Sequence, residues 1–103
     1  MKFEDLKFER KFLGGFGSTT EINGYILSVQ CGSFHYCTPR SNLSSVEDYS
    51  AFEIAVIDNR KTEFGEFVTS NFINENNPDD VAEWVTREEI NEVIKKIENE
   101  DNR

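Results

Sequence analysis

The carboxyl-terminal quarter of the chain places the strongest constraint on its fold. Thr86 is followed three residues later by Glu89, and Ile90, Val93, Ile94 and Ile97 then recur at intervals of three, one and three. A hydroxyl and a carboxylate at that spacing can satisfy the orphan amides of a helix start reciprocally, and the apolar recurrence places four branched side chains on one stripe. The pattern predicts an amphipathic helix over about 87–99. Such a stripe needs a surface to cover, and the residues upstream supply one with a different period.

Residues 51–58 alternate as Phe52, Ile54, Val56 and are rich in β-branched side chains, which predicts a strand. A turn around Asn59 to Glu63 leads to a return strand over 64–69. Nearer the amino terminus, Leu6, Phe8 and Phe12 have the spacing of one strand face, and Gly14, Gly15, Phe16 and Gly17 interrupt it. A second strand is expected from about Glu21 to Cys31, with Tyr25, Leu27 and Val29 on one face. Gly32-Ser33 reads as a two-residue hairpin turn into a short strand over Phe34 to Cys37. Residues 38–50 form the longest polar loop, a length that is often functional. Pro78 can open a short helical turn, with Val81, Trp84 and Val85 on one side. The expectation is an α+β domain spanning residues 1–103. In it an antiparallel meander of four or five strands is covered on one face by the carboxyl-terminal helix, and a short tail, 100–103, frays.

Nine Phe, three Tyr and Trp84 carry far more aromatic surface than disordered chains do, so the chain folds despite a net charge of −9. No apolar run approaches the roughly 18 residues of a membrane span, and acids occupy the amino-terminal stretch where a signal peptide is apolar, so the reading is cytoplasmic with no membrane partner. The hairpin register sets Cys31 opposite Phe34 and Ser28 opposite Cys37, with the two thiols on opposite faces. Two reduced cysteines follow, and C-x5-C with one histidine offers too few soft ligands for a zinc site.

Four constellations bear on chemistry. His35 and Cys37 share a predicted strand face and could form a base and a nucleophile, but no orienting acid is evident and their spacing exceeds direct hydrogen bonding. The run from Gly14 to Ser18 has the glycines of a phosphate loop without its Lys-Ser/Thr ending, so a connection or bulge is expected, with Phe16 tucked into the core or offered to a partner. Asp79, Asp80 and Glu83 cluster near a predicted helix start, where the macrodipole favours acids without any metal. Glu92 and Lys96 are spaced to pair along the helix. No cofactor or metal is expected.

Charge is distributed very unevenly. Residues 1–46 carry a net +1, residues 47–74 a net −4 and residues 75–103 a net −6. Phosphate neutralisation needs clustered bases, and only Lys7, Arg10 and Lys11 approach one, which argues against direct nucleic-acid binding. The acidic field favours a basic protein partner, with a nucleic-acid-processing enzyme the most concrete example. In size and charge the chain is similar to small acidic inhibitors of phages and mobile elements, including DNA mimics and anti-CRISPR proteins, and no motif ties it to a particular family. The expected function is a non-enzymatic inhibitor that occupies the basic nucleic-acid-binding surface of a host enzyme. The expected contact residues are Glu47, Asp48, Glu63 and Glu66 on the loop and hairpin, and Asp79, Asp80, Glu83, Glu88 and Glu92 near the helix. The alternatives are a cellular interaction domain whose acidity serves solubility, and a small enzyme using Cys37 and His35.

Overall fold

Alternation of branched and aromatic side chains builds the centre of the molecule. In the computed structural model, which describes residues 1–60, 63, 65–74 and 80–100, the strands are β1 (Glu9–Arg10), β2 (Phe16–Ile22), β3 (Tyr25–Cys31), β4 (Ala51–Asp58), β5 (Glu66–Phe67) and β6 (Ala82–Thr86). They form one antiparallel sheet of six strands in the order β1-β2-β3-β4, with β5 pairing the end of β4 at Ile57 and Asp58 and β6 pairing its start from Ala51 to Ile54. Among the described residues the one α-helix, α1 (Arg87–Glu98), covers one face.

Register shows how the two layers meet. Ile22, Tyr25 and Asp58 stand in one row across β2, β3 and β4, and Val29 stands beside Ile54. Tyr25, Leu27, Val29, Cys31, Phe52, Ile54 and Val56 are all buried and meet the stripe Ile90, Val93, Ile94 and Ile97. Thr86 caps the helix as its sequence requires: its hydroxyl accepts from the Glu89 amide at 3.2 Å, and the Glu89 carboxylate accepts from the Thr86 amide at 3.0 Å.

The meander departs from the sequence reading in five places. First, Glu21 to Cys31 is not one strand, because Asn23 (φ 52°) and Gly24 (φ 85°) turn the chain between β2 and β3. Both central residues have positive φ, the geometry that matches strand twist in a two-residue hairpin. Second, the glycine run is not only a connection: Phe16, Gly17 and Ser18 already belong to β2, and only Glu9–Arg10 pairs in the preceding segment.

Third, Gly32-Ser33 does not begin a hairpin. Residues 32–37 fold into a tight loop over the end of the sheet, where the Cys37 thiol accepts from the Gly32 amide at 3.2 Å and lies 3.2 Å from the Gly32 carbonyl. The chain returns to the sheet where the Tyr36 carbonyl accepts from the Trp84 amide at 3.0 Å and at the bridge between Thr38 and Ala51. The predicted pairing of Cys31 with Phe34 is therefore absent, although both thiols are free and buried.

Fourth, residues 82–86 are strand, not a helical turn. Phe52 pairs with Val85 and Ile54 with Ala82, so Glu83 and Trp84 together oppose Glu53 in a β-bulge. Trp84 sits at φ 53°, an unusual conformation for a bulky residue, and is aimed onto Tyr36 at a centroid distance of 5.6 Å. Fifth, the return strand is shorter than expected, Glu66–Phe67.

Candidate binding surfaces

The acids selected from the sequence separate into two groups. Glu47 and Asp48 lie in a 3-10 turn, Val46–Asp48, capped by the Ser45 hydroxyl, which accepts from the Glu47 amide at 3.2 Å. The polar loop that carries them is pinned: the buried Tyr49 hydroxyl donates to the Ser41 carbonyl at 2.5 Å and accepts from the Leu43 amide at 2.8 Å. Arg87 ties this turn to the helix start by donating to the Val46 carbonyl at 3.1 Å, with its guanidinium over the rings of Phe3 at 5.1 Å and Phe52 at 5.2 Å. Glu88 and Glu92 stand one helical turn apart on the exposed side of α1. Glu47, Asp48, Glu88 and Glu92 thus belong to one layer of the molecule.

Glu4 joins them. The 3-10 turn Phe3–Asp5 is fastened to α1 by the Phe3 amide donating to Asn91 Oδ1 at 2.7 Å. Between this turn, the Val46–Asp48 turn and the helix start lies an open hollow of about 410 Å³, with Phe3, Leu6, Phe8 and Val46 as apolar walls and Glu4, Glu47 and Arg87 as its charged groups. Glu4 carries no local sequence signal for this role. Its position depends on a contact between residues 3 and 91.

The expected Glu92–Lys96 pair does not form; Lys96 Nζ donates to the Phe72 carbonyl at 3.1 Å. Among the described residues none of Glu4, Glu47, Asp48, Glu88 and Glu92 makes an ion pair.

The second group lies along the sheet edge. Glu63 and Glu66 are exposed at and before β5, and Glu83 is half-buried in β6. Asp80 is structural in part: its carboxylate accepts from the Ser70 amide at 3.3 Å, and its carbonyl accepts from the Thr69 hydroxyl at 2.7 Å. Asp79 lies outside the described residues, as does Pro78 with its expected helical turn. No helix starts at Asp80 or Glu83, so the macrodipole accounts for Glu88 and Glu89 and not for these two. Among the described residues no group of three or more His, Cys, Asp and Glu is placed to hold a metal ion.

Two further acids leave the surface field. Asp58 is buried and accepts two hydrogen bonds from the Arg60 side chain, at 3.0 and 3.1 Å, while Arg60 also reaches the Tyr25 hydroxyl at 2.9 Å. That pairing raises the guanidinium pKa further above its ordinary value. Glu53 is the partner of His35, with Nδ1 to Oε1 at 3.1 Å, and it accepts from the Tyr36 amide at 3.1 Å. An acid beside His35 is therefore present, supplied by β4 at a distance in sequence. Cys37 is not available to this pair as a ready nucleophile. It is buried, it is held by the Gly32 backbone, its Sγ donates toward the Pro39 carbonyl at 3.3 Å, and burial pushes its thiol pKa up.

At the end of the sheet near Cys31 the surface changes character. A tight turn, closed by the Gly14 amide donating to the Lys11 carbonyl at 3.0 Å and the Lys11 amide to the Gly15 carbonyl at 3.0 Å, presents Phe12 and Leu13 at 101 % and 65 % exposure. Phe34 on the neighbouring loop is 66 % exposed. Phe16, the residue noted from sequence, is instead drawn partly into the core beneath Arg10, whose guanidinium lies 4.9 Å from its ring centroid. No protein family, curated protein or solved structure matches the chain. Among the described residues no helix is long and apolar enough to cross a membrane.

Proposed function

We propose that the protein is a non-enzymatic binding module whose helix layer presents carboxylates to a basic protein partner, most concretely by occupying the nucleic-acid-binding groove of an enzyme, as a phage-borne inhibitor or DNA mimic does. The observation that carries the reading is the direction of the cations. Arg87 and Lys96, two bases of the helix, give their hydrogen bonds to backbone carbonyls, and neither pairs with an acid of this layer. The charge of Glu4, Glu47, Asp48, Glu88 and Glu92 is left facing solvent. A solvated helix usually intersperses its signs and pairs them at one-turn spacing, whereas an uncompensated layer attracts an oppositely charged groove. The non-enzymatic part of the reading is supported by Cys37, whose buried, protonated thiol lacks the low pKa of a reactive one.

The test is capture from cell extract with the immobilised protein, followed by competition. A captured nucleic-acid-binding enzyme that is released by its own DNA or RNA and by raised salt supports the reading, because exposed charge pairs are screened over roughly 8 Å at physiological ionic strength. Capture that neither nucleic acid nor 0.5 M salt weakens overturns it.

A further inference from the structure

The exposed apolar tip has a counterpart elsewhere on the same chain. From Arg10 to Val46 the sequence contains one acid, Glu21, and that residue lies near the hairpin end of β2, roughly 17 Å of extended strand from the tip. The tip's own loops, 11–15 and 32–37, therefore carry no acid, although Glu9 stands in β1 beside Arg10 and Glu53 is held by His35 and the Tyr36 amide. Arg10 and Lys11 precede Phe12 in the chain, with the Arg10 guanidinium over the Phe16 ring at 4.9 Å, and the Arg40 guanidinium lies over Tyr36, two residues beyond Phe34, at 4.7 Å.

The wedge is also preformed. Asn42 bridges its two loops: its Oδ1 accepts from the Ser33 amide at 2.9 Å, and its Nδ2 donates to the Leu13 carbonyl at 3.4 Å. Gly15 and Gly32 pack back to back, both at positive φ, and a Cβ on Gly15 would collide with the Cys31 carbonyl. An apolar group held in place before binding loses little entropy on docking, and exposed clusters of this kind mark contact sites.

An apolar wedge with cationic flanks fits an apolar hollow with an anionic rim. The hollow between Phe3, Leu6, Phe8 and Val46 has a volume of about 410 Å³, with Glu4 and Glu47 outnumbering Arg87, whose guanidinium is given to the Val46 carbonyl. We infer that the occupant of the Phe12–Leu13–Phe34 tip is a second copy of this chain, whose Phe3–Val46 hollow receives it, with Arg10, Lys11 and Arg40 facing Glu4 and Glu47. The inference does not rest on the proposed partner, and it is tested on the purified protein alone.

Sedimentation velocity of the full chain over a wide concentration range, at low and high salt, gives the first readout. Mass should rise above that of one chain with concentration and fall back with salt. Phe12→Ser with Leu13→Ser, and separately Glu4→Lys with Glu47→Lys, should each raise the half-association concentration by at least about tenfold, with unchanged circular dichroism and melting. The equimolar mixture of the two double variants should associate again, because one supplies an intact tip and the other an intact hollow. A protein that stays monomeric at every concentration overturns the inference, as does association that survives both pairs of substitutions. Loss of association in the tip variant alone would replace it with a tip-to-tip contact. A monomer that instead sediments with anionic phosphatidylserine vesicles would assign the tip to lipid and also overturn it.

Discussion

Asn23 serves two structural elements at once. Its positive φ makes the turn between β2 and β3, and its side-chain amide donates to the Ile97 and Glu100 carbonyls at 3.0 Å each, so it also closes the end of the helix. Asn23→Gly keeps the turn and removes the cap, and the expected loss is about 0.5–1.5 kcal/mol by denaturant unfolding. An unchanged midpoint would mean that water replaces the amide without cost. The turn itself is legible in the sequence, since Asn-Gly between apolar residues is a strong hairpin signal, and reading one strand through it passes over that signal. The cap is not legible, because it joins residues far apart in the chain. Cys31 provides a second test at this scale. Burial pushes its thiol from the ordinary 9.0 up to about 11, so the folded state holds that proton more tightly than the unfolded state does. The resulting stability is fully present below pH 9 and is lost as pH rises toward 11. Burial raises Cys37 and Tyr49 in the same direction. Unfolding midpoints measured from pH 7 to 11 should fall over the last two units, and Cys31→Ala should reduce that slope. Parallel profiles for the two proteins would refute the assignment to this thiol.

The helix and β6 show which elements a sequence discloses. The start and stripe of α1 depend on residues within a dozen positions of one another, so both are legible. Thr86→Ala should cost about 1 kcal/mol through loss of the amide acceptor, and Ile94→Ala about 2–5 kcal/mol through the cavity it leaves beneath the helix. Thermal or chemical melts check both, and a neutral Ile94 variant would contradict its burial between helix and sheet. β6 misleads for a definite reason. A helical reading puts Val81, Trp84 and Val85 on one side, but the bulge at Glu83 and Trp84 turns Trp84 outward and leaves Ala82 and Val85 as the buried pair of an extended segment. The loop 32–37 misleads similarly, because its geometry follows from a thiol bonded to a backbone five residues away.

At the scale of the whole molecule, net charge is a property of the composition, but the partition of that charge depends on the fold. Glu53 and Asp58 look like members of one acidic field, yet His35 and Arg60 hold them within the protein. Glu4 enters the field only because the amino-terminal turn is fastened to Asn91. Of the acids selected as contacts, those in the described residues occupy two different physical settings. Glu66 and Glu83 lie on strands at the sheet edge, where charge opposes edge-to-edge pairing with another chain and so has a solubility role of its own. Those on the helix layer have no such duty. Reversal of Glu47, Asp48, Glu88 and Glu92 to lysine should therefore weaken the partner complex by at least about tenfold, chiefly through slower association, and flatten its salt dependence. Reversal of Glu63 and Glu66 should change it by less than about threefold, as expected for charges on a merely solvated surface. Surface plasmon resonance at 50 and 300 mM salt, with the captured partner immobilised, separates the two sets. Equal losses from both would return the contact to the whole acidic surface, and equal indifference would remove it from the carboxylates altogether.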